Sequence, residues 1–167
     1  MPNLFKTTSL LLAGTFAGSL LASKQLHAQI EEIVVTADFY QTSAMDIASS
    51  VTIVDDRMIE RHHAEHLEQL FGLAPNVNYA TGASRGRFIQ IRGIGERSEY
   101  IEPANYSVGV LIDGIDFTGI STAASTLDIQ QVEILRGPQG TLYGANALAG
   151  LINLVSADPT ETTRGKV

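Results

Sequence analysis

The chain has 167 residues, enough for one domain with a leader. Eleven basic against 18 acidic side chains give a net charge of −7, which argues against nucleic acid as a partner, because that needs a clustered excess of Lys and Arg. The absence of Cys excludes disulfides, thiol catalysis and Cys-ligated zinc.

Residues 1–28 read as a secretory signal peptide. Lys6 supplies the positive start, and Leu10 to Leu21 is an apolar run shorter than the roughly 20 residues a membrane-spanning helix needs. Ala28, before Gln29, offers a small residue at the cleavage position. Cleavage there removes Lys6 and Lys24 and no acid; eight of the nine basic residues left are Arg. Arg suits fixed, paired charge better than Lys does, so the skew points to arginines in partly buried, paired roles.

Ile30 to Ala37 (IEEIVVTA) is a short β-branched stretch at the mature N-terminus, where chain ends are usually loose. Ile33 to Thr36 reads as a free strand able to add itself to a partner's sheet edge. Residues 38–50 are small and polar and read as a linker. Val51 to Val54 is strand-like. Asp55 or Asp56 can cap a helix whose apolar set, Met58, Ile59, Leu67, Leu70 and Phe71, ends before Gly72 and Pro75. Val77 to Tyr79 and Phe88 to Ile91 are expected strands around the loop 81–86. A polar loop covers 96–106. Val108 to Ile112 is a strand, and Asp113-Gly114 is the strongest hairpin signal in the chain, with Ile115 and Phe117 returning. Residues 118–125 form a small-residue loop, and Asp128 to Gln131 reads as a helical turn. Strands Val132 to Leu135 and Leu151 to Val155 flank a glycine-rich stretch, 137–144, that calls for unusual backbone conformations. So many loops suit a module sheltered inside something larger.

Two catalytic patterns match by letter only. Gly82-Ala83-Ser84-Arg85-Gly86 fits the nucleophile elbow, but no His follows His66, so the Ser–Asp–His order is impossible. His62-His63-Ala64-Glu65-His66 fits a zinc-hydrolase pattern in which His62 and His66 share a helix face. A catalytic site also needs a third ligand and a cleft, for which a chain of this length with so many loops offers little room, and a solvated His-rich helix surface is the better reading. Gly93-Ile94-Gly95 lacks the third glycine of a dinucleotide fingerprint. No cofactor, resident metal or catalytic residue is expected. Two Arg-Gly corners stand out instead, Ile91-Arg92-Gly93 and Leu135-Arg136-Gly137. Each places an Arg at a strand end, where burial demands an acidic partner.

In this order, EEIVVTA (31–37), VTIVDDRMIE with LEQLFGLAPNV, FIQIRGIG (88–95), VGVLIDGI (108–115) and VEILRGPQGTLYGANALAGLINLVS (132–156) resemble the plug domain of TonB-dependent outer-membrane receptors. The resemblance implies an α+β domain with a four-stranded mixed sheet, short helices and long loops, lodged in a barrel of about 22 strands. It implies a periplasm-facing contact with TonB at Glu32, Ile33, Val34, Val35, Thr36 and Ala37. It implies arginines, here Arg92 and Arg136, that lock the plug to barrel glutamates. It implies outward loops that meet a small-molecule substrate such as a ferric siderophore; Arg85, Arg97, Tyr100 and Phe117 are the candidate ligand neighbours. The expected division is signal peptide 1–28, TonB box and linker 29–50, plug 51–158 and the start of a barrel at 159–167. The function implied is gating of energised nutrient uptake at the outer membrane, which is transport and not catalysis. A barrel of 9–11-residue strands lies outside these 167 residues. The alternative is a solitary or truncated periplasmic binding module without transport.

Overall fold

The computed structural model describes residues 33–37, 42–81, 86–96, 105–120 and 124–163. The expected signal peptide and the candidate site residues Glu32, Arg85, Arg97 and Tyr100 lie outside the described residues. In chain order the elements are β1 (Val34–Val35), β2 (Thr42–Ser43), β3 (Ser50–Asp55), α1 (Asp56–Arg61), a 3-10 helix (Leu67–Leu73), β4 (Val77–Thr81), β5 (Gly86–Ile91), β6 (Ile94–Gly95), β7 (Val108–Ile112), β8 (Ile115–Asp116), β9 (Ile129–Arg136), α2 (Gly140–Tyr143) and β10 (Gly150–Ser156). This is the α+β mixture expected. No helix among the described residues is long and apolar enough to cross a membrane.

The central sheet runs β3-β9-β10-β7-β8. Its four long strands are the expected mixed sheet: β10 pairs parallel with β7 and antiparallel with β9, while β3 pairs antiparallel with β9. The two-residue β8 extends the edge. It returns from β7 through Asp113 (φ 50°) and Gly114 (φ 78°), the two positive φ values a type I′ hairpin turn requires.

The strands at the centre of the sheet read as near-continuous apolar runs because both faces of the sheet are covered. Successive side chains alternate between those faces. Val132 and Ile134 of β9, with Ile152 and Leu154 of β10, join a core containing Ile59, Leu67, Leu70, Phe71 and Ile91. On the opposite face Leu135, Leu151 and Leu111 meet Val35 and Ala37, with Ala44, Ile47, Val51 and Tyr143 around them. A separate sheet, β4-β5-β6, closes through Arg92 (φ 55°) and Gly93 (φ 79°), a second I′ turn.

Three local expectations change. The single helix through Phe71 is two pieces. Asp55 caps α1 by accepting from the Met58 N–H at 2.8 Å, but His63 turns left-handed (φ 48°) and ends the run. The chain re-enters a helix at His66, where the Gln69 side chain accepts from the Glu65 and His66 N–H groups at 2.6 and 3.0 Å. The helical turn expected at 128–131 is instead the start of β9, with only Asp128 left-handed. Within the segment expected as a linker, β2 pairs with β1 and Ile47 packs on the second core.

Candidate functional site

The N-terminal strand is not loose. Val34 and Val35 pair with Ser43 and Thr42, and the Ala44 N–H donates to the Ile33 carbonyl at 3.0 Å. Val35 and Ala37 are 0% and 1% exposed, against 50% for Ile33. The anchor of this docking is Glu133, itself 0% exposed, on the face of β9 opposite Val132 and Ile134. Its Oε1 accepts from the Thr36 N–H at 2.7 Å, the Thr36 hydroxyl at 2.9 Å and Gln131 Nε2 at 2.7 Å. Its Oε2 accepts from the Ala37 N–H at 2.7 Å and Asn153 Nδ2 at 3.1 Å. Asn153 is the cross-strand partner of Glu133, and its Nδ2 also donates to the Thr36 hydroxyl at 3.2 Å. Gln131 Nε2 reaches the Val34 carbonyl at 3.0 Å, and the Tyr143 hydroxyl of α2 donates to the Ala37 carbonyl.

Magnitudes show why these contacts matter. Ordering the backbone of residues 33–37 costs about 1–2 kcal/mol each, roughly 5–10 kcal/mol together. Burying the Val35 side chain returns only about 1.5–3 kcal/mol. The balance falls to hydrogen bonds on a buried carboxylate, worth about 1.5–3 kcal/mol each. Docking of this strand is therefore close to balance and depends on Glu133.

A second feature lies at the arginine corners. Arg136 Nη1 donates to the Pro75 carbonyl at 3.0 Å, and Nη2 to the Ser50 hydroxyl at 2.8 Å and the Val51 carbonyl at 3.4 Å. Its Nε is buried without a partner among the described residues. Burial, and then the charge of Arg92, lower the Arg136 pKa. The two arginines that the sequence singled out, 44 positions apart, meet at one turn: the Arg92 N–H donates to the Asn76 carbonyl at 2.8 Å, beside the Pro75 carbonyl that Arg136 holds. Among the described residues, no ion pair with a carboxylate forms at either guanidinium.

Phe117 follows β8 and is half-buried, its N–H donating to the Val110 carbonyl at 2.9 Å. His62 and His66 do not share a helix face. His62 caps α1, whereas His66 is extended at the start of the 3-10 helix, with the left-handed His63 between them. No group of three or more metal-binding side chains occurs among the described residues.

Sequence reasoning missed Glu133, Asn153 and Tyr143. The signal for the first two was present. Each is a lone polar residue inside an apolar strand, VEIL and LINL, and a polar group in such a place needs a partner.

The result is a small α+β domain whose central sheet is covered on both faces, with an N-terminal strand clasped against one of them. The family model "TonB-dependent Receptor Plug Domain" matches residues 43–151, and the chain belongs to that family. The pesticin receptor of Yersinia pestis is 31% identical over 150 residues, covering 88% of this chain and 22% of that protein. The vitamin B12 transporter BtuB of Vibrio vulnificus (strain CMCP6) is 28% identical over 163 residues, covering 94% of this chain and 26% of that protein. The crystal structure of the ferric yersiniabactin uptake receptor FyuA from Yersinia pestis superposes with a TM-score of 0.59 at 31% identity, covering 68% of this chain and 18% of that one. The ferripyoverdine receptor of the outer membrane of Pseudomonas aeruginosa shares the fold, with a TM-score of 0.63 at 20% identity, over 77% of this chain and 17% of that one. The chain spans about a quarter or less of the length of these curated relatives. These relatives are named as a receptor and a transporter.

Proposed function

We propose that this plug gates energised uptake of a scarce nutrient, such as a ferric siderophore, through an outer-membrane receptor. The segment Glu32 to Ala37 is the contact for TonB. The observation that carries this reading is the held strand. Val34 and Val35 lie outside the central sheet, secured by the two-residue β2, by hydrogen bonds to side chains and by the burial of Val35 and Ala37, so they can be withdrawn without breaking the pairing of β3, β9 or β10. A segment of that kind suits strand addition to a partner's sheet edge, in which the backbone supplies affinity and alternate side chains supply specificity.

Arg92 and Arg136 complete the reading. Two neighbouring guanidinium groups without a carboxylate call for an anion, and carboxylates on the wall of an enclosing barrel answer that need. The segments carrying Arg85, Arg97 and Tyr100, and the half-buried Phe117, are then the substrate side. Arg suits an anionic chelate and aromatic rings suit stacking. The names of relatives that take up ferric yersiniabactin and vitamin B12 support a small-molecule nutrient as the cargo.

Val34→Pro tests the TonB contact, because Pro removes a backbone donor and cannot continue a ladder. The expected result is loss of capture by the periplasmic domain of TonB. Undiminished capture would refute the assignment of this strand.

A further inference from the structure

We propose that Glu133 is a latch that keeps the strand Val34 to Ala37 unavailable, so that a partner must compete with this carboxylate for the strand's backbone groups. The proposal rests on the reading of that strand as a partner-binding segment. Strand addition needs free N–H and C=O groups and side chains free to enter pockets. In this structure the strand offers few. The Ile33 carbonyl accepts from Ala44, the Val34 carbonyl from Gln131 and the Ala37 carbonyl from Tyr143. The Thr36 and Ala37 N–H groups both donate to Glu133. Val35 and Ala37 have their side chains in the core.

Glu133 dominates this arrangement for two reasons. It takes both N–H groups directly, and it also binds Gln131 and Asn153, whose amides touch the Val34 carbonyl and the Thr36 hydroxyl. Its loss therefore weakens every side-chain contact to the strand except that of Tyr143. In addition, a carboxylate is a poor choice for stabilising a central strand, since an apolar residue of similar size packs there at no desolvation cost. Three of its five donors, the Thr36 N–H, the Thr36 hydroxyl and the Ala37 N–H, belong to the removable segment. When the segment leaves, the vacated site opens the carboxylate to water. Both states then keep its oxygens solvated or bonded, which is what a reversible latch requires.

The chain has no Cys, so Ala37→Cys provides a single thiol whose maleimide labelling rate reports release of the strand. Glu133→Gln keeps the shape but turns an NH2 group toward backbone donors. In the 167-residue chain it should accelerate labelling at position 37 at least tenfold. A thiol placed by Ala74→Cys in the core on the other face should not respond. Equal rates at position 37 with Glu and Gln at position 133 would overturn the latch. If the thiol at position 74 also accelerates, the whole domain has loosened and Thr36→Val decides, because it takes one donor away from Glu133 while leaving β9 and the other core unaltered. Acceleration confined to position 37 supports the latch, and none overturns it. A parallel titration with the periplasmic domain of TonB separates the two readings. The latch predicts at least tenfold tighter binding by Glu133→Gln, and equal binding would overturn it as a competitor. Accelerated labelling without TonB binding by any variant would leave the latch standing and refute the TonB assignment.

Discussion

Arg136 has work to do inside the plug as well as at its surface, and Arg136→Ala separates the two roles. The substitution removes the two well-formed hydrogen bonds to the Pro75 carbonyl and the Ser50 hydroxyl, and the longer one to Val51. A bond from a charged donor is worth about 1.5–3 kcal/mol when desolvated. This guanidinium is only half-buried, so each good bond is discounted to about 0.5–1 kcal/mol. The orphaned carbonyls can turn to water and add little. The expected loss is about 1–2 kcal/mol, a fall in Tm of about 4–8 °C for a domain of this size. Arg136→Lys keeps the charge but not the planar fork, and should recover about half of the loss. Arg92→Ala should leave Tm unchanged, because the Arg92 side chain makes no hydrogen bond among the described residues and its charge opposes that of Arg136. Thermal melts followed by far-UV circular dichroism provide the assay. An unchanged Tm in Arg136→Ala, or equal losses in both variants, would refute the reasoning.

Other expectations follow from the same geometry. In a receptor carrying this plug, Arg92→Ala should raise passive solute leakage without lowering plug stability, and unchanged leakage in liposome swelling would count against the lock. Asp113 closes the β7–β8 turn onto β10 by accepting from the Ser156 N–H at 2.8 Å and its hydroxyl at 2.7 Å, and these bonds lower its pKa. A depressed carboxylate contributes its full stability above the unfolded pKa and loses it as pH falls through the folded one. Asp113→Asn, which keeps a residue suited to the left-handed turn, should therefore lower the urea midpoint at pH 7 and leave it unchanged once both pKa values lie above the pH. An equal deficit in strong acid would show that the bonds with Ser156 are not the cause. At Gly150 an added Cβ would collide with the Leu135 carbonyl and lie 2.6 Å from Ile91 Cδ1. Gly150→Ala should cost about 1–3 kcal/mol through overpacking, and a neutral denaturation curve would show that β9 yields more readily than its packing suggests.

Much of this architecture was legible in the sequence because it depends on local chemistry. Asp113-Gly114 announced its turn, and the apolar runs 132–135 and 151–155 announced the strands β9 and β10. The arginine corners were visible from their glycines. The helix break was not. Ile59, Leu67, Leu70 and Phe71 keep a helical period across the left-handed His63, so the apolar pattern carries no trace of the interruption. Nor was the docking of the N-terminal strand legible. Thr36 meets Glu133 across 97 positions and Asn153 across 117, and no local rule connects residues so far apart. The polar interruptions in VEIL and LINL marked where a partner had to come, without saying which segment would supply it.

The most direct test of the central claim is an NMR titration of the chain with the periplasmic domain of TonB. The predicted result is perturbation of Ile33 to Ala37 together with Gln131, Glu133, Asn153 and Tyr143, the side chains that must let the strand go. The Phe71 and Ile91 core should stay unchanged. Perturbations that spare residues 33–37, or no binding even by Glu133→Gln, would contradict the account.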